Sequence, residues 1–387
     1  MGKVKIGLLP RLFVAIALGA LTGAFAPGCV IRACNSFGAI FGQYIKFIIP
    51  FIVIGLVTPA IAETGRSAGK MLLATLGLAY ASTLFAGFFA YSVANFAFPT
   101  FLSGSLAENA VAKEFAPYFT LSIPPVMDVM TALTVAFMFG LAIVATGGRT
   151  LIAFFSEMRD VVTLAISKSM VPLLPVFIFT IIANITASGR LKIVGGSCML
   201  IMATAFSVTA VLLLVQFTLA GIVARKNPLK ALWTQMPAYL TGFGCCSSAA
   251  TIPVNLRQTK KNGVSAETAD LVIPLCANVH LAGSMANMVI YTAGILILAG
   301  VPISASAYVE FVLLISVIAV SSPGVPGGMV LASATIAETA LGLSPERYAL
   351  VIAMYLALDG MGTACNLAGD GAIALVIDRF RPKRQEV

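Results

Sequence analysis

Long apolar runs recur along the whole chain. Several approach the ~20 residues that a helix needs to span a bilayer: Leu12–Phe25, Phe47–Ala62, Met71–Ala97, Val129–Ala145, Met199–Val223 and Val289–Val301. They predict membrane-crossing helices over about 7–26, 36–63, 68–98, 122–147, 151–188 and 193–224. The opening run follows Lys3, Lys5 and Arg11, as a signal peptide's would, but the further spans make it the first transmembrane helix rather than a segment to be removed. The count then breaks. Only about 26 residues separate Lys230 from Arg257, both basic, and their middle reads TGFGCCSSAATIP. At 1.5 Å per residue a helix cannot cross ~30 Å twice in that length. The segment therefore reads as a re-entrant hairpin whose tip stops inside the membrane, buried in protein or lining a cavity. A seventh span is predicted over about 266–299, a second hairpin over about 303–345 around SSPGVPGG, and an eighth span over about 346–377. The expected fold is an all-α membrane protein of eight transmembrane helices and two opposed re-entrant hairpins. That is the inverted-repeat, broken-helix pattern of secondary transporters, with a binding site where the tips meet.

Composition supports the membrane reading. The 387 residues are 59% hydrophobic and 10% charged, against roughly 25% charged in soluble domains. The net charge of +9 is a topology signal rather than a nucleic-acid footprint. Basic clusters at Lys3/Lys5/Arg11, Arg66/Lys70, Arg149/Arg159, Arg225/Lys226/Lys230, Arg257/Lys260/Lys261 and Arg379–Arg384 alternate with charge-poor connections, with Arg190 and Lys192 against the trend. The positive-inside rule then puts both termini in the cytoplasm of a multi-pass protein of the plasma membrane, the inner membrane in a bacterium. The seven cysteines have no Cys-x-x-Cys spacing and give neither a metal site nor a disulfide framework; only Cys29 and Cys34, in the predicted first extracellular loop, are placed to pair.

Polar groups at membrane depth are expensive and default to functional candidates. The last span carries Asp359, Thr363, Asn366 and Asp370 at i, i+4, i+7 and i+11, on one helical face. A hydrogen-bonded helix seam is the structural alternative. Two aspartates with no Lys or Arg between Arg347 and Arg379 argue against it and call for a cation, an ammonium group or a proton. The first tip offers Ser247, Ser248 and Thr251, with Pro253 expected to break the helix beyond; the second offers Ser321, Ser322 and Gly324–Gly328. His280, the single histidine, stands in ANVHLAGSM of the seventh span, as a packed core residue or a functional one.

These motifs are the basis of a resemblance. CCSSAATIPVN, NVHLAG, GVPGG and DGMGTACNLAGD, in this order, resemble the dicarboxylate/amino acid:cation symporter family, and the likeness covers nearly the whole chain from KIGLLPRLFVAIALGALTG onward. The resemblance implies a homotrimer of elevator transporters with no cofactor and coupled sodium ions. It divides the chain into scaffold helices 1 and 2 (1–66), moving helix 3 (67–98), scaffold helices 4 and 5 (99–190), moving helix 6 (191–227), hairpin 1 (228–263), helix 7 (264–300), hairpin 2 (301–345), and helix 8 with its basic tail (346–387). Carried over, Asp359 would hold a substrate α-amino group. Asn366, with first-tip backbone around Ser247 and Ser248, would hold the α-carboxylate. Thr363, Gly362, Ser284 and Val325 would line the pocket. Asp370, with carbonyls near Asn366, His280 and Cys276, would bind one sodium ion; carbonyls near Ser322 and backbone near Asn278 would bind another.

Two departures matter. Acidic-amino-acid members carry an arginine where this chain has Gly362, and many bacterial members have one at the position of Cys246. A buried side-chain carboxylate would lack a partner, so the expected substrate is an amino acid with a neutral side chain rather than glutamate, aspartate or a dicarboxylate. The family's Asn-Met-Asp-Gly reads His280-Leu281-Ala282-Gly283, which removes the carboxylate of a third sodium site and leaves oxygens only from Ser82 and Thr83. A proton on His280 is one substitute, because histidine titrates near working pH; fewer coupled ions is the other. An intramembrane serine hydrolase would need Ser247 or Ser248 paired with His280, and leaves the hairpins and the Asp/Thr/Asn/Asp stripe unexplained. A channel would have no need of that stripe.

Overall fold

The computed structural model describes residues 8–66, 70–102, 115–127, 129–189, 191–302, 304–321 and 327–380, and among them every regular element is a helix. Apolar runs fold this way because a helix satisfies its own backbone groups where water is absent. In chain order the helices are α1 (Leu8–Phe25), α2 (Gly28–Arg66), α3 (Lys70–Phe101), α4 (Val129–Thr146), α5 (Arg149–Ala165), α6 (Val171–Ala187), α7 (Leu191–Ala224), α8 (Pro228–Cys245), α9 (Ser248–Lys261), α10 (Ala266–Val279), α11 (Ala282–Leu298), α12 (Ala305–Ser321), α13 (Gly328–Ala332), α14 (Ala334–Leu341), α15 (Pro345–Ala357) and α16 (Asp359–Arg379). A π-turn, Ile166–Met170, joins α5 to α6, and the pair is bent by 47°. Among the described residues Met71–Phe101, Gly195–Ala224, Ala266–Leu298 and Asp359–Arg379 are long and apolar enough to cross a membrane, and the bent pair makes five. Phe96 (87% exposed), Met199 (71%) and Ile222 (69%) stand on the outside of α3 and α7. Apolar exposure on that scale suits lipid rather than water.

The helices pack in two sets. In one, α1 lies on α6, and α2 lies on α4, α5 and α6. Gly19 and Gly23 permit the first contact, since a Cβ on Gly19 would stand 2.7 Å from the Phe179 carbonyl oxygen and one on Gly23 would meet that of Ala183. Small residues four apart are how membrane helices approach closely. In the other set α16 is the hub, packed by α7, α8, α9, α10 and α11, with α3 against α11. α12 and α13 touch α2, and α15 touches α1 and α6, bridging the sets.

Three sequence expectations change. Cys29 and Cys34 are free and lie inside α2, not in a loop, because the helix starts right after Pro27. Five residues apart on one helix, they face different sides. Pro253 does not end a helix: it sits within α9, whose 14 residues continue to Lys261. The missing N–H is one bond in a helix held by α8, α10 and α16. The seventh and eighth spans are broken, at His280–Leu281 and at Leu358. Both breaks fall at the polar motifs.

Candidate functional site

α16 presents Asp359, Thr363, Asn366 and Asp370 on one face, all buried, and three of them are met by different elements. Asp359 Oδ2 accepts the Gly327 N–H at 2.9 Å, from the end of the second hairpin's tip. Gly327 has φ +75°, a left-handed conformation suited to glycine. Asn366 Oδ1 accepts the N–H groups of Gly283 (2.8 Å) and Ser284 (3.3 Å), while its Nδ2 donates to Ser284 Oγ at 3.0 Å. The first turn of α11 has unsatisfied N–H groups, and its own N-cap, Leu281, offers no side-chain acceptor. Asn366 supplies that cap from another helix. The approach depends on Gly283, where a Cβ would stand 2.7 Å from the Gly362 carbonyl.

Asp370 is the centre of a polar chain. Its Oδ1 lies 2.9 Å from His280 Nδ1, and its Oδ2 receives Asn255 Nδ2 at 3.4 Å. Asn255 also donates to the Leu367 carbonyl at 2.9 Å and accepts from Gln235 Nε2 at 2.7 Å, which reaches Thr259 Oγ1 at 3.0 Å. On the other side His280 Nε2 is 3.1 Å from Ser82 Oγ, which accepts from Gln216 Nε2 at 2.9 Å. The sequence left Asp370 without a protein partner; the partner is His280, brought in by the break between α10 and α11. His280 Nδ1 also stands 3.3 Å from the Asn366 carbonyl.

A pocket opens between the two hairpins and α16. Its walls include Cys246 and Ser248 from the first hairpin, Gly327 and Met329 from the second, Asn278, Leu281 and Ser284 from the broken seventh span, and Tyr355, Asp359, Thr363 and Asn366. Gly360 lets the first tip sit tightly, since a Cβ there would meet the Phe243 carbonyl. Of the residues expected to hold substrate, Asp359, Thr363, Asn366, Ser248 and Ser284 share this pocket. Ser247 lies at the tip, its carbonyl accepting from Thr251 Oγ1 at 2.9 Å. Gly362 is buried and turned toward Ser284 and Asn287 on α11. Val325 and Ser322 lie outside the described residues.

Of the residues expected to hold ions, Asp370, His280 and the Asn366 carbonyl converge. The Cys276 carbonyl accepts the His280 N–H at 2.9 Å. Asn278 is exposed, with Nδ2 on the Pro274 carbonyl. Thr83 Oγ1 donates to Ala79 O and accepts the Leu281 N–H. An oxygen set of one carboxylate, carbonyls and hydroxyls suits a hard cation, although the imidazole already contacts three of those oxygens. Sequence reading passed over Gln216, Gln235 and Tyr355. The two glutamines are uncharged amides in otherwise apolar helices, and that isolation was the available signal. Compared with known protein families, residues 8–380 match the model of the Sodium:dicarboxylate symporter family.

Proposed function

Because the chain belongs to the sodium:dicarboxylate symporter family, and so to a class of integral membrane transporters rather than enzymes, we propose that it imports an amino acid with a neutral side chain, coupled to sodium. The observation that carries this reading is the pocket wall: one carboxylate, Asp359, and no Lys or Arg among the described residues. Asp359 pairs with the α-ammonium group. The α-carboxylate lies between the Asn366 amide and the N-terminus of α9 at Ser248, where first-turn N–H groups and the helix dipole favour an anion. A second carboxylate on the substrate would be buried without a partner.

The resemblance supplies the elevator movement and the homotrimer. Under it α1, α2 and α4–α6 form the scaffold, and α3, α7, the hairpins and the two broken spans move together. The concentration of packing within these two sets supports that division. The resemblance also makes the second hairpin the outer gate, and the hydrogen bond from the Gly327 N–H to Asp359, which ties that hairpin to the pocket wall, supports this.

The first test is thermal stabilisation of the purified protein by each of the twenty amino acids, with and without sodium. The expected result is a sodium-dependent shift with neutral amino acids. A shift with glutamate or aspartate alone would overturn the neutral-substrate reading in favour of an acidic amino acid or dicarboxylate. A second reading, a proton on His280 in place of one sodium ion, is favoured by the 2.9 Å contact between His280 Nδ1 and Asp370 Oδ1. An unchanged pH profile of uptake in His280→Gln overturns it.

A further inference from the structure

Ser284, Asn287 and Tyr291 stand at i, i+3 and i+7 of α11, on one stripe. α11 packs against α16, and all three residues are buried. Ser284 is committed, receiving Asn366 Nδ2 at 3.0 Å and bonding Tyr355. The next two are not. Asn287 Oδ1 and Tyr291 OH are buried with no hydrogen-bond partner among the described residues. Folded proteins leave few such atoms unpaired, because each forfeits the hydrogen bond it would make in water. Two in succession on one stripe point to a ligand.

Asn287 stands behind the pocket wall, against Gly362 between Asp359 and Thr363. A Cβ on Gly362 would lie 3.0 Å from Asn287 Nδ2 and 3.2 Å from Ser284 Oγ, so any side chain at 362 would cover Asn287. Glycine puts no side chain between Asn287 and the turn that carries Asp359 and Thr363. Tyr291 stands one turn beyond Asn287 on the same face of α11 and is fully buried. We propose that Asn287 and Tyr291 form the side-chain end of the site and select amino acids whose neutral side chain carries a hydroxyl or a carboxamide. This rests on the neutral amino-acid reading above and narrows it. An amide oxygen only accepts, whereas a phenol hydroxyl donates or accepts. A hydroxyl or carboxamide does both, and so satisfies the pair with the Asn287 amide in either orientation. A carboxylate only accepts, and a hydrocarbon leaves both groups unpaired.

The test compares near-isosteric pairs, threonine with valine and asparagine with leucine, by titrating the thermal shift of the full-length protein in sodium. Threonine and asparagine bind at least about tenfold more tightly than their hydrocarbon partners. Asn287→Leu and Tyr291→Phe each move the ratio toward one. Equal affinities within the pairs in the unmodified protein, or ratios that survive both substitutions, overturn the proposal. Alanine separates the two levels of the argument. If alanine binds and the ratio is one, only this selection is wrong. If glutamate binds and alanine does not, the neutral amino-acid reading falls and takes this proposal with it.

Discussion

Asp359→Asn raises the dissociation constant for amino acids at least a hundredfold. Asp359 is 7% exposed and is the one carboxylate of the pocket wall among the described residues. Removing one member of a buried ion pair costs about 3–5 kcal/mol, because the remaining charge is left without compensation. Each 1.4 kcal/mol is tenfold in affinity. Asparagine keeps the shape and still offers an oxygen to the Gly327 N–H, so the loss reports the missing charge rather than a loosened second tip. Equilibrium binding of a labelled neutral amino acid, with circular dichroism as the folding check, measures the effect. Binding within threefold of the unmodified protein would remove Asp359 from its role on the ammonium group.

Asp370→Asn abolishes the sodium dependence of binding. Asp370 is buried, and its oxygens face His280 and Asn255. The substitution keeps an oxygen for one of those donors while removing the carboxylate charge that would balance a cation beside His280 and the Asn366 carbonyl. The expected readout is a thermal shift with substrate that no longer changes between sodium and a potassium control. A retained sodium response would place the coupled ion elsewhere, with the second tip and the backbone near Asn278 as the next candidates. His280→Gln should be milder on this readout, since the carboxylate stays.

The helical framework was legible because its signal is long. An apolar run near the bilayer's thickness has few alternative structures, and basic residues mark the turns between runs. α1, α3 and α7 fall close to the predicted limits. The Asp359/Thr363/Asn366/Asp370 stripe was equally legible, since a fixed period puts the four on one face and the energetics keep them from lipid. The breaks at His280–Leu281 and Leu358 were not. Neither break holds a proline, the glycines that follow Leu358 (Gly360 and Gly362) lie inside α16, and α11 is capped by Asn366, 83 residues beyond Gly283. A cap supplied from a distant helix leaves no local trace. The same applies to Asp370, whose partner His280 is 90 residues away. For Cys29 and Cys34 the error ran the other way: a loop was expected between spans, and the turn at Pro27 was tight enough for α2 to take up both.

Asn255 is an intermediate case. It closes the CCSSAATIPVN motif, so the sequence marked it, but its work is to tie the first hairpin to Leu367 and Asp370. That role appears only when α9 lies against α16. A period within one helix can be read from sequence; a hydrogen bond between helices depends on packing that the sequence encodes only as a whole.

The account as a whole is tested most directly in liposomes holding the purified protein, by following labelled alanine under an inward sodium gradient. The account predicts accumulation above the external concentration that collapses when the gradient is dissipated, with excess serine competing and excess glutamate not. Equilibration without accumulation, or suppression of alanine uptake by glutamate, would contradict it.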